Sequence, residues 1–485
     1  MEAMEEHKKE EARWKKNGEN FLLGLEKIKE ETNGWKPTGV MERKKKILEA
    51  TGPIVISSSD IISPIWDNKE QHYQNFLEWK SAPIITKYLK NWETYLEEIE
   101  KPAHIVNIME IEIWKRLQEE IASINIKVRD RVFDSLIKTK QADIEEIKNI
   151  YKTKRIVVAD LGVVSAKRVA LESRLSEEEI SQTPLISAIW GLINGNIAKY
   201  AIENEIENIL KGAFVMQSIT SALSTAIAVE LGIHAWHNTM SNACASTLSA
   251  MFAWIEKITG WGQDRVMISA ADTINYNVSL TLFNAMRTLW THSSPFDKSA
   301  NGFIASEAAA TFLLERENEA LKRNKTPTVQ IVWYAESSDA DKHIAKPGTL
   351  RQTTTMKEAL YIAGLKPEDI DGVVTHGTST TEWDPSEAIA IHAVFWKYKP
   401  VIMAPKWNVG HNIWAAAAMW IECAQAAFKY SIAPQIVNLK NRIPAAETLN
   451  LAEWLKKDFQ YILVNSFWFW GYNACVILKK YEQKK

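Results

Sequence analysis

Between residues 54 and 480 two kinds of apolar run alternate, and this alternation constrains the chain more than any other feature. IVISSSDIISPIW (54–66) reads as a β-branched strand followed by a Ser/Pro turn. Further strands are read in RIVVADLGVV (155–164), RVMISAAD (265–272), AAATFLLER (308–316) and TVQIVWYAE (328–336). GVVTHGT (372–378), VIMAPK (401–406), YILVNSF (461–467) and ACVILKK (474–480) complete the set. The long apolar stretches 212–233 and 412–428 are Ala-rich and broken by Ser, Thr, Glu or Gln, which suits buried helices rather than membrane spans. Strands interleaved with such helices bury their apolar faces as α/β layers around a mostly parallel or mixed sheet. Residues 85–153 are charged, poor in Gly and Pro, and predicted helical. Residues 1–50 are Lys/Glu-rich and predict a charged helical extension, solvated or docked on a partner. RENEALKRNKTPT (316–328) is the best boundary, giving domains 51–320 and 321–485 after the extension.

Composition excludes several functions. The net charge of −2 provides no basic field for nucleic acid. The N-terminus, MEAMEEHKKEEARWKK, shows no apolar secretory region. Three cysteines, Cys244, Cys423 and Cys475, have no metal-ligand spacing and leave one over, which fits a reducing cytosol. A cytoplasmic protein without a metal or a membrane span is expected.

Four segments carry chemistry. SNACAST (241–247) sets Cys244 before the helical run LSAMFAWIEKI, where a helix N-terminus favours a thiolate. A lone cysteine is more often structural, and Cys423 and Cys475 take that reading. THGTSTTEWDPSEA (375–388) puts His376 on a tight loop after a strand, equally consistent with a structural and a catalytic role. APKWNVGHNIWAAAAMW (404–420) delivers Lys406 from a strand and opens an Ala-rich helix with His411, whose ring is then held rigidly in a buried site. VNSFWFWGYNA (464–474) joins two apolar strands through an aromatic turn, which by itself is a core element.

Together these segments resemble the β-ketoacyl-[acyl-carrier-protein] synthases of the thiolase-like superfamily. That family has an ACAS-type nucleophile turn, an HGTST loop, a Lys five residues before a GH-plus-alanine helix, and a terminal NSFGFGG turn. SPFDKSANGF (294–303) is close to its PFDK…DGF segment, and the likeness spans roughly residues 54–480, strongest after 231. The resemblance implies two similar βαβαβαββ halves in a five-layer α-β-α-β-α arrangement, the first carrying Cys244. It implies decarboxylative Claisen condensation. An acyl group is carried on Cys244, and malonyl-acyl carrier protein loses carbon dioxide against His376 and His411. Lys406 would order the site. The backbone N–H groups of Cys244 and Phe469 would hold the oxyanion, and Phe469 would gate the acyl pocket. Thr378, Thr380, Phe467 and Asn473 would bind substrate. No cofactor is implied, since the phosphopantetheine arm arrives on the acyl carrier protein, and a homodimer paired around residues 237–242 is expected. A Cys-His-His set separates the chain from thiolases, which need a second catalytic Cys, and from initiating synthases with Cys-His-Asn. The alternative is a catalytically impaired paralogue, like a chain-length factor, partnering an active synthase; such subunits typically lose the nucleophile, and it is present here. A scaffold acting through residues 1–50 has no site residues to support it.

Departures from the family pattern mark a divergent lineage. Ser58, Asp60, Ser306, Ala308, Ala310, Ala270 and Ala271 stand where the family usually has glycines, the loop between Leu289 and Pro295 is short, and Trp420 replaces a frequent Glu. Six tryptophans, Trp66, Trp79, Trp383, Trp414, Trp468 and Trp470, also fall at family glycine positions. The chain has 20 Trp and 19 Gly among 485 residues, together a share of about 8% and close to the usual glycine share of about 7%. This predicts that many of these tryptophans are glycines in the native protein, from UGA codons translated as Trp. The competing reading is a diverged paralogue whose pocket is filled by indoles.

Overall fold

The computed structural model describes residues 21–62, 85–89, 101–106, 157–189, 220–272, 281–340, 346–436, 438–452, 455–468 and 471–483. Eleven strands form one sheet: β1 (Ile54–Ile62), β2 (Leu185–Ala188), β3 (His237–Met240), β4 (Arg265–Asp272), β5 (Ala308–Arg316), β6 (Val329–Ser338), β7 (Gly372–Val374), β8 (Val401–Met403), β9 (Asn450–Leu451), β10 (Tyr461–Trp468) and β11 (Tyr472–Lys480). Their order is β9-β8-β7-β10-β11-β6-β1-β5-β4-β2-β3.

That order contains a duplication. The first half runs third, second, fourth, fifth, first strand, and the second half, β6, β7, β8, β10 and β11, repeats it. The senses repeat too. β2 is parallel to β3 and β4, as β7 is to β8 and β10, whereas the fifth strand of each half is antiparallel to both neighbours. The first strands of the halves join antiparallel, Ile54 opposite Ile331.

Among the described residues, the helices that flank the sheet include α1 (Gly39–Thr51), α2 (Val157–Ser173), α3 (Ala222–Leu231), α4 (Ser246–Trp261), α5 (Thr349–Ala363), α6 (Trp383–Phe395) and α7 (Ala416–Tyr430). The strands' two-residue period sorts side chains between layers. Val266, Ile268 and Ala270 of β4 face a central core with α4 and α7, while Met267 and Ala271 face an outer core with α2 and α3. In the second half Ile462 and Val464 point to the same central core, and Leu463 to an outer one with α5 and α6. Outer helices, the first half of the sheet, central helices, the second half of the sheet and outer helices make the five layers. The Ala-rich front of α7 lets it lie close to α4 in the middle.

Three local expectations are corrected. From Val157 on, the segment RIVVADLGVV is the start of helix α2, not a strand. Its β-branched residues continue into SAKRVALES, and Leu161, Val164 and Val169 lie on the face that α2 buries against the outer core. Within 85–153, predicted helical, Ile85–Leu89 and Lys101–Val106 are antiparallel strands, the second pairing with Ala305–Ser306. Their β-branched and aromatic content decides locally over the charged average. The described part of the N-terminal extension docks on its own chain. Leu25, Ile28, Thr32 and Met41 are buried, Trp35 meets Tyr361 edge-on at 6.2 Å, and α1 packs on α5 and α4. Thr38 caps α1, its hydroxyl accepting from Met41 N–H at 3.3 Å.

Tryptophans are poorly matched to these layers. Trp254, Trp333 and Trp420 are buried, and their indole N–H groups find no acceptor among the described residues. A buried tryptophan usually finds a partner, and an unsatisfied donor costs about 1–3 kcal/mol.

Candidate active site

Four segments meet beneath the central layer. Cys244 sits in the 3-10 turn Ala243–Ala245 that leads into α4. The turn is left-handed at Ala243 (φ 44°) and is pinned on both sides. Asn242 N–H donates to Ser246 Oγ at 2.8 Å, and Ser466 Oγ on β10 donates to the Cys244 carbonyl at 2.7 Å. His411 follows Gly410, where the φ of 71° and the approach of Ile304 O and Ser306 Cβ (2.9 and 2.7 Å from a built Cβ) leave room only for glycine. His411 is then stitched to the neighbouring strand, its N–H donating to Ile304 O at 2.8 Å and its carbonyl accepting from Ser306 N–H at 2.9 Å. His376 follows β7, and Lys406 follows β8.

Cys244 Sγ lies 3.1 Å from His411 Nε2, and one ring nitrogen of His376 is within 4.8 Å of both. The hydrogen bonds fix both tautomers. His411 Nδ1 accepts from Ile413 N–H at 3.1 Å, so its proton is on Nε2, toward the sulfur. His376 Nδ1 lies 3.3 Å from Lys406 Nζ and accepts from it while the amine is protonated, which leaves the ring hydrogen on Nε2. Lys406 also donates to the His376 carbonyl. Burial, then Lys406, holds both imidazoles well below their ordinary 6.5, so both stay neutral donors. Burial pushes the Cys244 thiol up to about 12 despite Lys406, so the expected resting thiolate is corrected to a thiol: desolvation outweighs the helix start.

Residues not singled out in the sequence hold the loop. Glu387, buried on α6, accepts from His376 N–H at 2.9 Å, Gly377 N–H at 2.8 Å and Asn465 Nδ2 at 3.1 Å. Asp384, one turn earlier, accepts from Ser379 N–H at 3.0 Å and Phe296 N–H at 2.8 Å. Burial raises both acids, Asp384 to about 7, and lowers Lys406 to about 7. The legible signal was the D-x-x-E spacing directly after the His376 loop, which sets two acids on one helix face. Asp272 accepts Trp414 N–H at 3.1 Å.

A cavity of about 320 Å³ opens onto Cys244, His376 and His411, lined further by Phe283, Phe303 and Trp383 among others. Thr378 and Thr380 line it, their hydroxyls 2.8 Å apart. Phe467 and Asn473 do not line it: Phe467 is buried with its ring 6.4 Å from His376, and Asn473 donates to Asp339, just past the end of β6, at 2.7 Å. Phe469 lies outside the described residues, as do Trp66, Trp79 and Trp470.

The neutral rings make a pH prediction. A base with a depressed folded value costs stability as pH falls through its unfolded value, because the unfolded chain then binds more protons. Each ring contributes a loss of about 1.4 kcal/mol per pH unit below 6.5. Asp384, raised to about 7, acts with the opposite sign, so the comparison is between variants. The stability of His411→Asn should fall less steeply than wild type below pH 6.5, by about 1.4 kcal/mol per unit, read from urea midpoints. Parallel slopes would mean that His411 is already charged in the fold.

A sequence model of the β-ketoacyl synthase N-terminal domain matches residues 151–320, and one of the C-terminal domain matches 329–440. The chain belongs to the β-ketoacyl synthase family. It is 28% identical over 356 residues to 3-oxoacyl-[acyl-carrier-protein] synthase 2 of Coxiella burnetii, covering 69% of this chain and 84% of that one. Identity to 3-oxoacyl-[acyl-carrier-protein] synthase 2 of Mycobacterium leprae is 30% over 264 residues, covering 52% and 63%. The fold matches the ishigamide ketosynthase/chain length factor with a TM-score of 0.73 at 20% identity, over 89% of this chain and all of that one. Ketosynthases of this family need no cofactor of their own; the phosphopantetheine is carried by acyl carrier protein. Among the described residues, no helix of this ketosynthase is long and apolar enough to cross a membrane.

Proposed function

We propose that this chain is a 3-oxoacyl-[acyl-carrier-protein] synthase that elongates acyl chains by decarboxylative Claisen condensation. The observation that carries the reading is one buried thiol facing two imidazoles whose Nε2–H tautomers are fixed by Ile413 N–H and Lys406. In the first step Cys244 attacks the acyl thioester of acyl carrier protein. A C–S bond forms to Cys244, the carrier's C–S bond breaks, and the Cys244 proton ends on the departing carrier thiol. The step is neutral overall, which suits a site whose burial disfavours a standing thiolate. In the second step malonyl-acyl carrier protein loses carbon dioxide, and the released electron pair becomes an enolate. Its oxygen is held by the two Nε2–H donors, the stabilisation that preorganised donors supply best in a dry cavity. The enolate carbon then attacks the acyl carbonyl, and Cys244 leaves and takes up one proton. Lys406 and Glu387 keep His376 in place.

Incubation with an acyl-labelled acyl carrier protein tests this. Label should appear on Cys244 and be discharged as 3-oxoacyl product when malonyl-acyl carrier protein is added. A chain that never takes label is a non-catalytic subunit instead.

The active unit is a homodimer in this reading. β3 ends the sheet with no neighbour on its outer side among the described residues, and His237 and Asn238 are exposed. An open edge of this kind pairs readily with a second copy of itself about a two-fold axis. Light scattering at micromolar concentration should give twice the chain mass; a monomer would contradict it.

A further inference from the structure

We infer that positions 383, 414 and 468 are glycine in the protein as its own cell makes it, their codons being UGA read there as glycine. The choice of positions rests on the ketosynthase reading; the reason to doubt the indoles is structural. Three of the six tryptophans at family glycine positions gather around one sulfur. Trp383 forms a wall of the cavity, its ring 6.4 Å from that of His376. Trp414 shares a buried cluster with Cys244, Phe283, Phe303 and Ile413, and Trp468 packs against that cluster. A pantetheine arm and an acyl chain must pass here to reach Cys244, so bulk is least tolerable at this place in the fold. Trp414 follows Ile413, a β-branched residue in the left-handed region (φ 48°), at the turn that aims His411. Trp414 does find a hydrogen bond, from Nε1 to Ser241 Oγ at 3.1 Å.

A second observation is independent of family positions. Elsewhere in the core, Trp254, Trp333 and Trp420 are buried without an acceptor for the indole N–H among the described residues. Natural cores seldom leave this group unmet even once. Trp420 also interrupts a helix face made of alanines, with Lys406 Nζ 4.3 Å from its ring centroid. With 20 Trp against 19 Gly, the excess of one residue type is of the size of the other's deficit.

The test reads the protein itself. The chain is purified from its source cells, and the peptides spanning 383, 414 and 468 are weighed. Glycine masses are the expected result; tryptophan masses, or UGG codons at all three positions, overturn the inference. The recombinant chain gives a second reading of opposite sign. If the indoles are artefacts, Trp383→Gly/Trp414→Gly/Trp468→Gly should raise the melting temperature by several degrees and speed acyl loading of Cys244. If they are native, emptying three packed sites lowers it. Should the peptides carry glycine while the glycine protein still fails to condense, the ketosynthase reading falls and the inference about codons stands.

Discussion

Replacing Cys244 by alanine should abolish condensation, by at least about 10⁴-fold, while the fold and the decarboxylation of malonyl-acyl carrier protein persist. Among the described residues the sulfur is the nucleophile that faces the two imidazoles, and neither ring can substitute for it, since each nitrogen with a free lone pair is engaged by Ile413 N–H or Lys406. Alanine fits the turn: Cys244 is flanked by Ala243 and Ala245, and the turn is held by Asn242 N–H donating to Ser246 Oγ and by Ser466 Oγ donating to the Cys244 carbonyl, neither of which uses the sulfur. A stability change of about 1 kcal/mol, the ordinary size for a point mutant, is expected. The donors for the enolate oxygen remain in place, so carbon dioxide release should continue without an acyl acceptor. Elongation by the variant would remove Cys244 from the mechanism. Loss of decarboxylation together with condensation would mean that the sulfur, not the histidine pair, organises the malonyl site.

Glu387→Ala is expected to have the second largest effect, and a selective one. Its carboxylate accepts from His376 N–H, Gly377 N–H and Asn465 Nδ2, all buried. Truncation strands three donors at about 1–3 kcal/mol each and releases the loop that aims His376. A loss of about 2.7 kcal/mol of transition-state stabilisation corresponds to about 100-fold in rate, so decarboxylation should fall at least this far. Acyl loading of Cys244 does not use His376 and should fall much less. Glu387→Gln keeps one acceptor oxygen and the volume, so it should fold if the alanine variant does not, and show the same split between loading and decarboxylation. Equal losses in both half-reactions would show that Glu387 supports the fold alone.

What could be read from the residues was whatever a short segment encodes in itself. β4 and β5 end where their apolar runs end, because a buried strand needs a continuous apolar run and a charged residue closes it. Cys244, His376, Lys406 and His411 could be picked out because each lies in a segment whose small residues permit one tight conformation. The start of α2 reads as a strand in the sequence because a short run rich in β-branched and aliphatic residues suits a strand and a buried helix alike; the choice fell to the outer core, which had a place for a helix there. The protonation of the site was likewise not local. Residue order puts Cys244 at a helix start, which argues for a thiolate, but only the packed fold withdraws water from it and sets desolvation above the helix ends. The clamp by Asp384 on Phe296, 88 residues away, and by Glu387 on Asn465, 78 residues away, depends on layers brought together from both halves. The sequence by itself determined the chemistry available, a thiol, two imidazoles and an amine. The tertiary structure decided which nitrogen carries each proton and which way it points, because hydrogen bonds between distant segments exist only once the layers have closed.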